Sequence, residues 1–212
     1  MMRGRFISFE GGEGVGKSTQ ARLLAEALEA RGIEVVTTRE PGGTQGAEAI
    51  RELLLHPPGE GWEAEAEALL FAAARSDHVV RLIEPSLAAG KWVVCDRFVD
   101  SSRAYQGGAG ALGDAEILGL HRVGSGGQMP DLTFLLEADE EATSARLARR
   151  GEDSSDAIES RNPAYHWQVA KAFALLAMAE PERIVRVASS GSIEGTHASI
   201  MRALEPLLAD IS

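Results

Sequence analysis

The sequence has only one cysteine, Cys95, among its 212 residues. A single cysteine cannot form an internal disulfide or a cysteine-rich metal site, which excludes the small disulfide-stabilised and zinc-ribbon classes of protein. Such cysteine usage is typical of proteins in a reducing compartment, so we expect a cytoplasmic location. Because Cys95 lies in an apolar run, we expect its thiol to be buried and inert.

Basic residues are also scarce relative to acidic ones. The chain has 21 Lys and Arg against 32 Asp and Glu, a formal net charge of -11, and a sequence pI of about 5.0. A protein of this charge repels nucleic acid and anionic membranes. No apolar run is long enough to span a bilayer, and the N-terminal stretch reaches Glu10 before any run that resembles a signal peptide. We therefore expect no nucleic-acid partner and no membrane partner, and any phosphate site must be local.

Short apolar segments alternate with segments of helical periodicity along the chain. The predicted strands are residues 5–10, 34–38, 91–95, 132–138 and 183–187. Strands and helices that alternate in this way are typical of an α/β fold, with a parallel sheet covered by helices on both faces. The length fits one domain spanning residues 1–212.

Three other stretches carry weaker predictions. The glycine-rich stretches "QGGAGALG" and "GSGGQMP" predict loops, and "EGWEAEAEALL" predicts a solvated acidic helix face. His78 is expected to be a packing or hydrogen-bonding residue without a catalytic role. The periodic segment that continues through Pro85 predicts a helix that is bent or interrupted at that proline.

The stretch "GGEGVGKS", residues 11–18, matches the phosphate-binding pattern G-x-x-x-x-G-K-[ST] and lies between a predicted strand and a predicted helix. Glycines allow backbone N–H groups to surround a phosphate, Lys17 can reach its oxygens, and Ser18 can coordinate Mg²⁺. A dinucleotide-binding pattern would need glycine at Lys17 or Thr19 and is therefore excluded. We expect a nucleoside triphosphate site formed by Gly11, Gly12, Glu13, Gly14, Val15, Gly16, Lys17, Ser18 and Thr19.

Two further clusters follow predicted strands. "DRFVDSSRAYQGG" begins with Asp96, which can join a Mg²⁺ shell, and Arg97, which can bind a phosphate with two N–H groups. "TREPGGT", residues 38–44, supplies Arg39. A GTPase would follow its aspartate with D-x-x-G, but Val99 occupies the glycine position. Because ligands bind at the carboxyl ends of parallel strands, these clusters predict a phosphorylated acceptor facing the triphosphate.

The motifs "FEGGEGVGKSTQ", "TREPGGT", "LLFAAARSDHV", "DRFVDSSRAYQG" and "PDLTFLL" occur in the order and at the spacing of the thymidylate kinases. The chain resembles that family over nearly its whole length. The resemblance implies transfer of the γ-phosphoryl group of ATP to dTMP, giving dTDP, with Mg²⁺ as cofactor. It also implies a P-loop kinase fold with a five-stranded parallel sheet, a short lid at about residues 150–161, and a homodimer.

The resemblance also assigns roles to single residues. Glu13 is similar to the family's acidic residue near the acceptor's sugar and phosphate, and Arg39 and Arg97 resemble its phosphate-binding arginines. Phe71 matches the aromatic residue on which thymine stacks. Arg75 matches the arginine that hydrogen-bonds the base.

The remaining assigned residues follow the third predicted strand. Ser101, Ser102 and Gln106 resemble the residues that contact the edge of the base, and Tyr105 resembles the ring that crowds the sugar's 2′ position. Asp96 resembles the carboxylate associated with Mg²⁺, alongside Ser18. Catalysis would then consist mostly of alignment and charge neutralisation, because a phosphate oxygen is already nucleophilic.

The chain departs from the family pattern in the glycine-rich loop and in the lid. Gly110 and Ala157 occupy positions where the family has arginine, and Gln168 and Ala170 replace arginines that are common in the helix after the lid. The basic residues near the lid that could supply the missing charge are Arg149, Arg150, Arg161 and Lys171. The residues that we assign to catalysis are Lys17, Glu13, Asp96, Arg97 and Arg150.

The missing lid arginine leaves two alternatives to a dTMP kinase. One is a nucleotide-binding protein with weak or no turnover that uses the same pocket. The other is a kinase for a different nucleoside monophosphate. The full set of donor and acceptor residues favours the dTMP kinase, because a binding protein has no need of both sites.

Overall fold

A computed structural model describes residues 3–139, 142–144, 146, 157–158 and 160–209. The strands are β1 (Phe6–Glu10), β2 (Val35–Arg39), β3 (Trp92–Asp96), β4 (Leu132–Glu137) and β5 (Ile184–Ala188). The helices are α1 (Lys17–Glu29), α2 (Gln45–Leu55), α3 (Ala64–His78), α4 (Glu84–Ala88), α5 (Val99–Ser102), α6 (Asp114–Ser125), α7 (Pro163–Ala179) and α8 (Ile193–Ala209). Two π-helical segments, Val79–Ile83 and Arg103–Ala109, follow α3 and α5.

The five strands form one sheet in the order β2-β3-β1-β4-β5, and every neighbouring pair is parallel. This confirms the predicted α/β class and the positions of the predicted strands. Phe9 lies opposite Asp96 on one side and Phe134 on the other, and Arg39 also pairs with Asp96. The carboxyl ends of β1, β2 and β3 therefore meet at one edge of the sheet.

Apolar side chains cover both faces of the sheet, as a parallel sheet with crossover helices requires. On one face Leu24 of α1 and Leu204 of α8 pack in the same buried cluster as Phe134. On the other face Ile83 and Phe98 pack with strands β1 and β3. The central strand β1 is wholly buried as a result, and the glycine loop follows directly from this packed strand.

The structure corrects three details of the sequence predictions. The interruption near Pro85 is a π-helical turn at Val79–Ile83, and Pro85 itself lies in the first turn of α4, where its missing N–H is not needed. The first half of "QGGAGALG", predicted as a loop, belongs to the π-helical segment Arg103–Ala109. Helix α6 was not predicted.

Among the helices that the structure describes, none combines the length and the apolar character needed to cross a membrane.

Candidate functional site

The loop after β1 has the backbone conformation that its glycines allow. Gly11 and Gly16 have φ values of +132° and +99°, which residues with a Cβ adopt only with strain. A Cβ at Gly11 would also lie 2.4 Å from the carbonyl oxygen of Leu136. The Lys17 ammonium donates to the carbonyls of Gly12, at 2.6 Å, and Gly11, at 3.3 Å. Burial and then the charge of Arg97 lower the pKa of Lys17.

Ser18 and Asp96 lie side by side at the start of α1 and the end of β3. The Ser18 hydroxyl donates to Asp96 Oδ2 at 2.5 Å. A hydroxyl and one carboxylate suit Mg²⁺, which keeps several waters and takes further oxygens from substrate phosphates. Within the part of the chain that the structure describes, no group of three or more His, Cys, Asp and Glu could hold a metal by itself. The donor set therefore fits a metal bound together with a nucleotide.

Arg97 has a left-handed backbone conformation, with φ of +68°, at the point where β3 ends. Strain of this kind is most common at functional sites, where the surrounding structure enforces it. Its guanidinium donates to Gly11 O at 3.0 Å, to Ser101 Oγ at 3.1 Å and to the Glu13 carboxylate. Although burial opposes its charge, Glu13 holds the pKa of Arg97 above its usual range.

Glu10, at the end of β1, connects the glycine loop to the segment after β3. Its carboxylate is fully buried and accepts hydrogen bonds from Phe98 N at 2.8 Å and Ser101 Oγ at 2.6 Å. Burial and then the charge of Asp100 raise the pKa of Glu10 to about 7. The sequence analysis did not assign this residue a role.

Tyr105 forms one wall of the site beside Arg97. The Arg97 guanidinium lies 5.3 Å from the centre of the Tyr105 ring, and the Tyr105 hydroxyl donates to Glu13 at 3.3 Å. Burial raises the pKa of Tyr105, so its hydroxyl stays protonated. Glu13, Arg97 and Tyr105 thus form one connected group that joins the glycine loop to the segment after β3.

Two arginines lie on the β2 side of the site. Arg39, at the end of β2, pairs with Glu48 of α2 at 3.0 Å and is about half exposed. Arg51 of α2 donates to the carbonyl of Pro41 at 2.7 Å and lines the same cleft. Arg51 belongs to none of the sequence motifs, although its position two turns into the helix that follows "TREPGGT" could have indicated it.

Arg75 lies behind the wall of the cleft. Its guanidinium donates to Glu40 at 2.7 Å and to Ser102 Oγ at 2.8 Å, and its side chain is 3% exposed. Glu40 also contacts His78 Nδ1 at 3.0 Å. His78 is wholly buried and also contacts Thr38 Oγ1 at 2.8 Å, so its predicted packing and hydrogen-bonding role is confirmed.

Glu67 of α3 is buried, so the prediction of a solvated acidic face for "EGWEAEAEALL" is wrong at this position. One carboxylate oxygen accepts from Gln106 Nε2 at 2.8 Å, and the other accepts from Arg161. Arg161 also donates to the Tyr165 hydroxyl at 2.6 Å. Although burial opposes its charge, the charges of Glu67 and Tyr165 and the hydrogen bonds to them together raise the pKa of Arg161.

The lid candidates divide into those the structure describes and those it does not. Arg149 and Arg150 lie outside the described residues. Arg161 pairs with Glu67, and the ammonium of Lys171 lies 5.6 Å from the exposed Trp167 ring. Arg146, another residue that the sequence analysis missed, donates to the loop carbonyls of Gly14, at 3.2 Å, and Val15, at 3.3 Å.

A cleft of about 200 Å³ that opens to solvent lies among these residues. Most of the predicted site residues line it, namely Glu13, Gly14, Gly16, Lys17, Ser18, Arg39, Phe71, Asp96, Arg97, Ser101, Ser102, Tyr105 and Gln106. Among the described residues, the predicted ones that do not line it are Gly11, Gly12, Val15, Thr19 and Arg75, and Arg150 lies outside the described residues. The lining residues that the sequence analysis missed are Glu40, Pro41, Arg51, Leu55 and Ile158.

Comparison with known proteins gives consistent results. Residues 9–200 match the thymidylate kinase family. The chain is 56% identical over 207 residues to a thymidylate kinase of Rhizorhabdus wittichii, covering 98% of this chain and 100% of that protein. It is 49% identical to a thymidylate kinase of Rhodopseudomonas palustris, covering 98% and 94%. The crystal structure of a thymidylate kinase from Ehrlichia chaffeensis superposes with a TM-score of 0.77 at 34% identity, covering 96% and 99%.

The position of Lys17 predicts that this side chain is needed for turnover. We expect Lys17→Ala to lower kcat by about 100-fold or more, because it removes a preorganised cation from the phosphate loop. Steady-state kinetics would measure the loss, and Lys91→Ala is the matched control, since Lys91 pairs with Glu34 at the opposite edge of the sheet. Near-normal kcat in a folded Lys17→Ala variant would contradict the assignment of the loop.

Proposed function

The chain belongs to the thymidylate kinase family and phosphorylates dTMP to dTDP with ATP, and we propose from that premise how its residues share the work. The loop of residues 11–19 holds the triphosphate, with backbone N–H groups and the N-terminus of α1 directed at the phosphates. Lys17 neutralises charge beside them. Ser18 and Asp96 would hold Mg²⁺, which would supply positive charge to neutralise the phosphates.

On the acceptor side, Arg39 and Arg97 bind the phosphate of dTMP. The contacts that now hold these arginines, Glu48 and Glu13, are carboxylates, so a phosphate can replace one anion with another at the same N–H groups. Glu13 lies beside the sugar and the phosphate. Tyr105 limits the space at the 2′ position and so favours deoxyribose over ribose.

The base is held between Phe71 and the start of the π-helical segment. Phe71 stacks on thymine in this proposal. Its half-buried position in the lining of the cleft supports this role. The proposed base-edge contacts are Ser101, Ser102 and Gln106. Arg75 supports this edge from behind through its hydrogen bond to Ser102.

No side chain has to act as a strong base in this scheme. An ionised phosphate oxygen of dTMP attacks the γ-phosphorus of ATP, and the bond from that phosphorus to the oxygen of the β-phosphate breaks to release ADP. The residues therefore contribute by holding the two substrates in line and by neutralising charge. Lys17 and Arg97 both donate to the carbonyl of Gly11, and this closeness of the two cations supports the proposal.

The observation that carries the proposal is the group formed by Arg97, Glu13 and Tyr105, which joins the triphosphate loop to the acceptor side. We expect kcat/KM for dTMP to exceed that for UMP and for dCMP by at least about tenfold. A coupled ADP-release assay with ATP, Mg²⁺ and a panel of monophosphates measures this. If UMP matched dTMP, the role of Tyr105 would be wrong.

The catalytic cation at the lid remains to be assigned, and we propose Arg150. The described alternative, Arg161, is paired with the buried Glu67 and is not directed at the loop. We expect Arg150→Ala to lower kcat by more than about tenfold, or roughly 1.4 kcal/mol of transition-state stabilisation.

Arg161→Ala is the comparison variant for this test, because it removes the same charge a short distance along the chain. It should change dTMP affinity more than kcat. Equal kcat in wild type and Arg150→Ala would remove Arg150 from the mechanism.

We also propose that the chain forms a homodimer through α3 and α6. Leu69, Val80 and Val123 are 57%, 65% and 88% exposed, and Leu69 and Val80 share one face of the helix that begins at α3. α6 packs beside that face, where Ser76 Oγ donates to Gly124 O at 2.5 Å. Apolar side chains grouped in this way suit a second copy of the same surface.

The dimer proposal predicts a change of mass in solution. Val123→Glu should convert a dimer to a monomer, because it places two like charges at a self-complementary interface. Sedimentation velocity would measure the mass, with Met178→Glu on α7 as the control, since Met178 is 72% exposed but lies on another helix. A monomeric wild type would contradict the proposal.

A further inference from the structure

We propose that Glu67 fixes the orientation of the Gln106 side-chain amide and thereby makes the site select a pyrimidine with an N–H at N3, as in thymine, over cytosine. This inference rests on the proposed contact between Gln106 and the base. Glu67 does not line the cleft and would act through Gln106, so it is a positioning residue.

The geometry of the pair is well defined. Glu67 is 5% exposed and Gln106 is 2% exposed. Gln106 Nε2 donates to one Glu67 oxygen at 2.8 Å. The other Glu67 oxygen accepts from Arg161, and these two side chains also form an ion pair.

The two ends of a glutamine amide have nearly the same shape and differ in what they can bond. An ionised carboxylate can only accept hydrogen bonds, so Glu67 holds the NH₂ end of Gln106 toward itself. The Gln106 oxygen must then point away from Glu67. This oxygen is buried and has no hydrogen-bond partner among the described residues, while Gln106 lines the cleft.

A buried carbonyl oxygen without a donor is a cost that a ligand can remove. The N3 position of thymine is an N–H donor, whereas that of cytosine is an acceptor with a lone pair. An oxygen held toward this position attracts thymine and repels cytosine. The direction of the Gln106 amide therefore decides which of the two bases binds more tightly.

Arg161 completes the arrangement. As a donor it fixes the second oxygen of Glu67 and offsets the charge of a buried carboxylate. It is itself held by Tyr165, whose hydroxyl donates to the carbonyl of Tyr105 at 3.0 Å. The carboxylate is thus anchored on both sides, and its orientation does not depend on the substrate.

Glu67→Gln tests the inference because it should turn the Gln106 amide around. Arg161 has only N–H donors, so the oxygen of the new amide would face Arg161. The NH₂ group of the new amide would then face Gln106 and require an acceptor there. Gln106 would then present its NH₂ end to the base. We expect the ratio of the dissociation constants of dCMP and dTMP, measured by titration calorimetry, to fall at least about tenfold.

Three further variants separate orientation from other causes. In a Gln106→Met background, Glu67→Gln should change the ratio by less than about twofold, because the oriented group is absent. Glu65→Gln removes the same charge from an exposed position of α3 and should leave the ratio unchanged. The exchange Glu67→Gln with Gln106→Glu again presents an acceptor to the base and should restore the preference for dTMP.

The outcomes distinguish this inference from the proposed role of Gln106. If Gln106→Met kept the wild-type ratio, Gln106 would not read the base. If Gln106→Met lost selectivity but a folded Glu67→Gln kept it, the orienting role of Glu67 would be overturned. Thermal unfolding checks each fold, and should Glu67→Gln not fold, the exchanged pair decides: restored selectivity supports the inference, and lost selectivity overturns it.

Discussion

The hydrogen bonds to the buried carboxylate of Glu10 are the constraint on which the arrangement of the site depends. Glu10 ends the central strand β1, directly before the phosphate loop, and it accepts from Phe98 N and from Ser101. The segment after β3 carries Arg97, the serines and Tyr105, so one carboxylate holds the phosphate loop beside the residues that we propose to bind dTMP. A side chain with several acceptor sites suits this position, because it satisfies backbone and hydroxyl donors together.

Each of the arginines proposed to bind substrate is already paired with a carboxylate, which reconciles an acidic protein with a site for two polyanions. Arg97 contacts Glu13 and Arg39 contacts Glu48. A guanidinium that is held this way keeps its direction, and its charge is partly offset. A phosphate carries more charge than a carboxylate and can use the same N–H groups, so it can compete for them. The net charge of -11 therefore limits non-specific binding of polyanions without preventing binding in the cleft.

The sequence predicted the strands and the phosphate loop well because both depend on local signals, namely apolar runs and a fixed spacing of glycines with Lys17. It also predicted that Asp96 and Arg39 lie at the same edge of the sheet, since parallel strands align their carboxyl ends. It failed where a side chain's environment depends on distant segments. Glu67 looks like its exposed neighbours in "EAEALL" but is buried, and its partners Gln106 and Arg161 lie 39 and 94 residues away along the chain.

The same limit applies to the proposed recognition of the base, which depends less on which residue is present than on which of its hydrogen-bonding groups faces the base. Arg75 and Gln106 can each bond in several ways, and the sequence names both without saying which groups remain for a ligand. In the fold Glu40, 35 residues away, takes one part of the Arg75 guanidinium and Ser102 another. The groups that we propose for the base are therefore the serine and amide groups that such buried partners orient, and these partners can be identified only once the tertiary contacts are known.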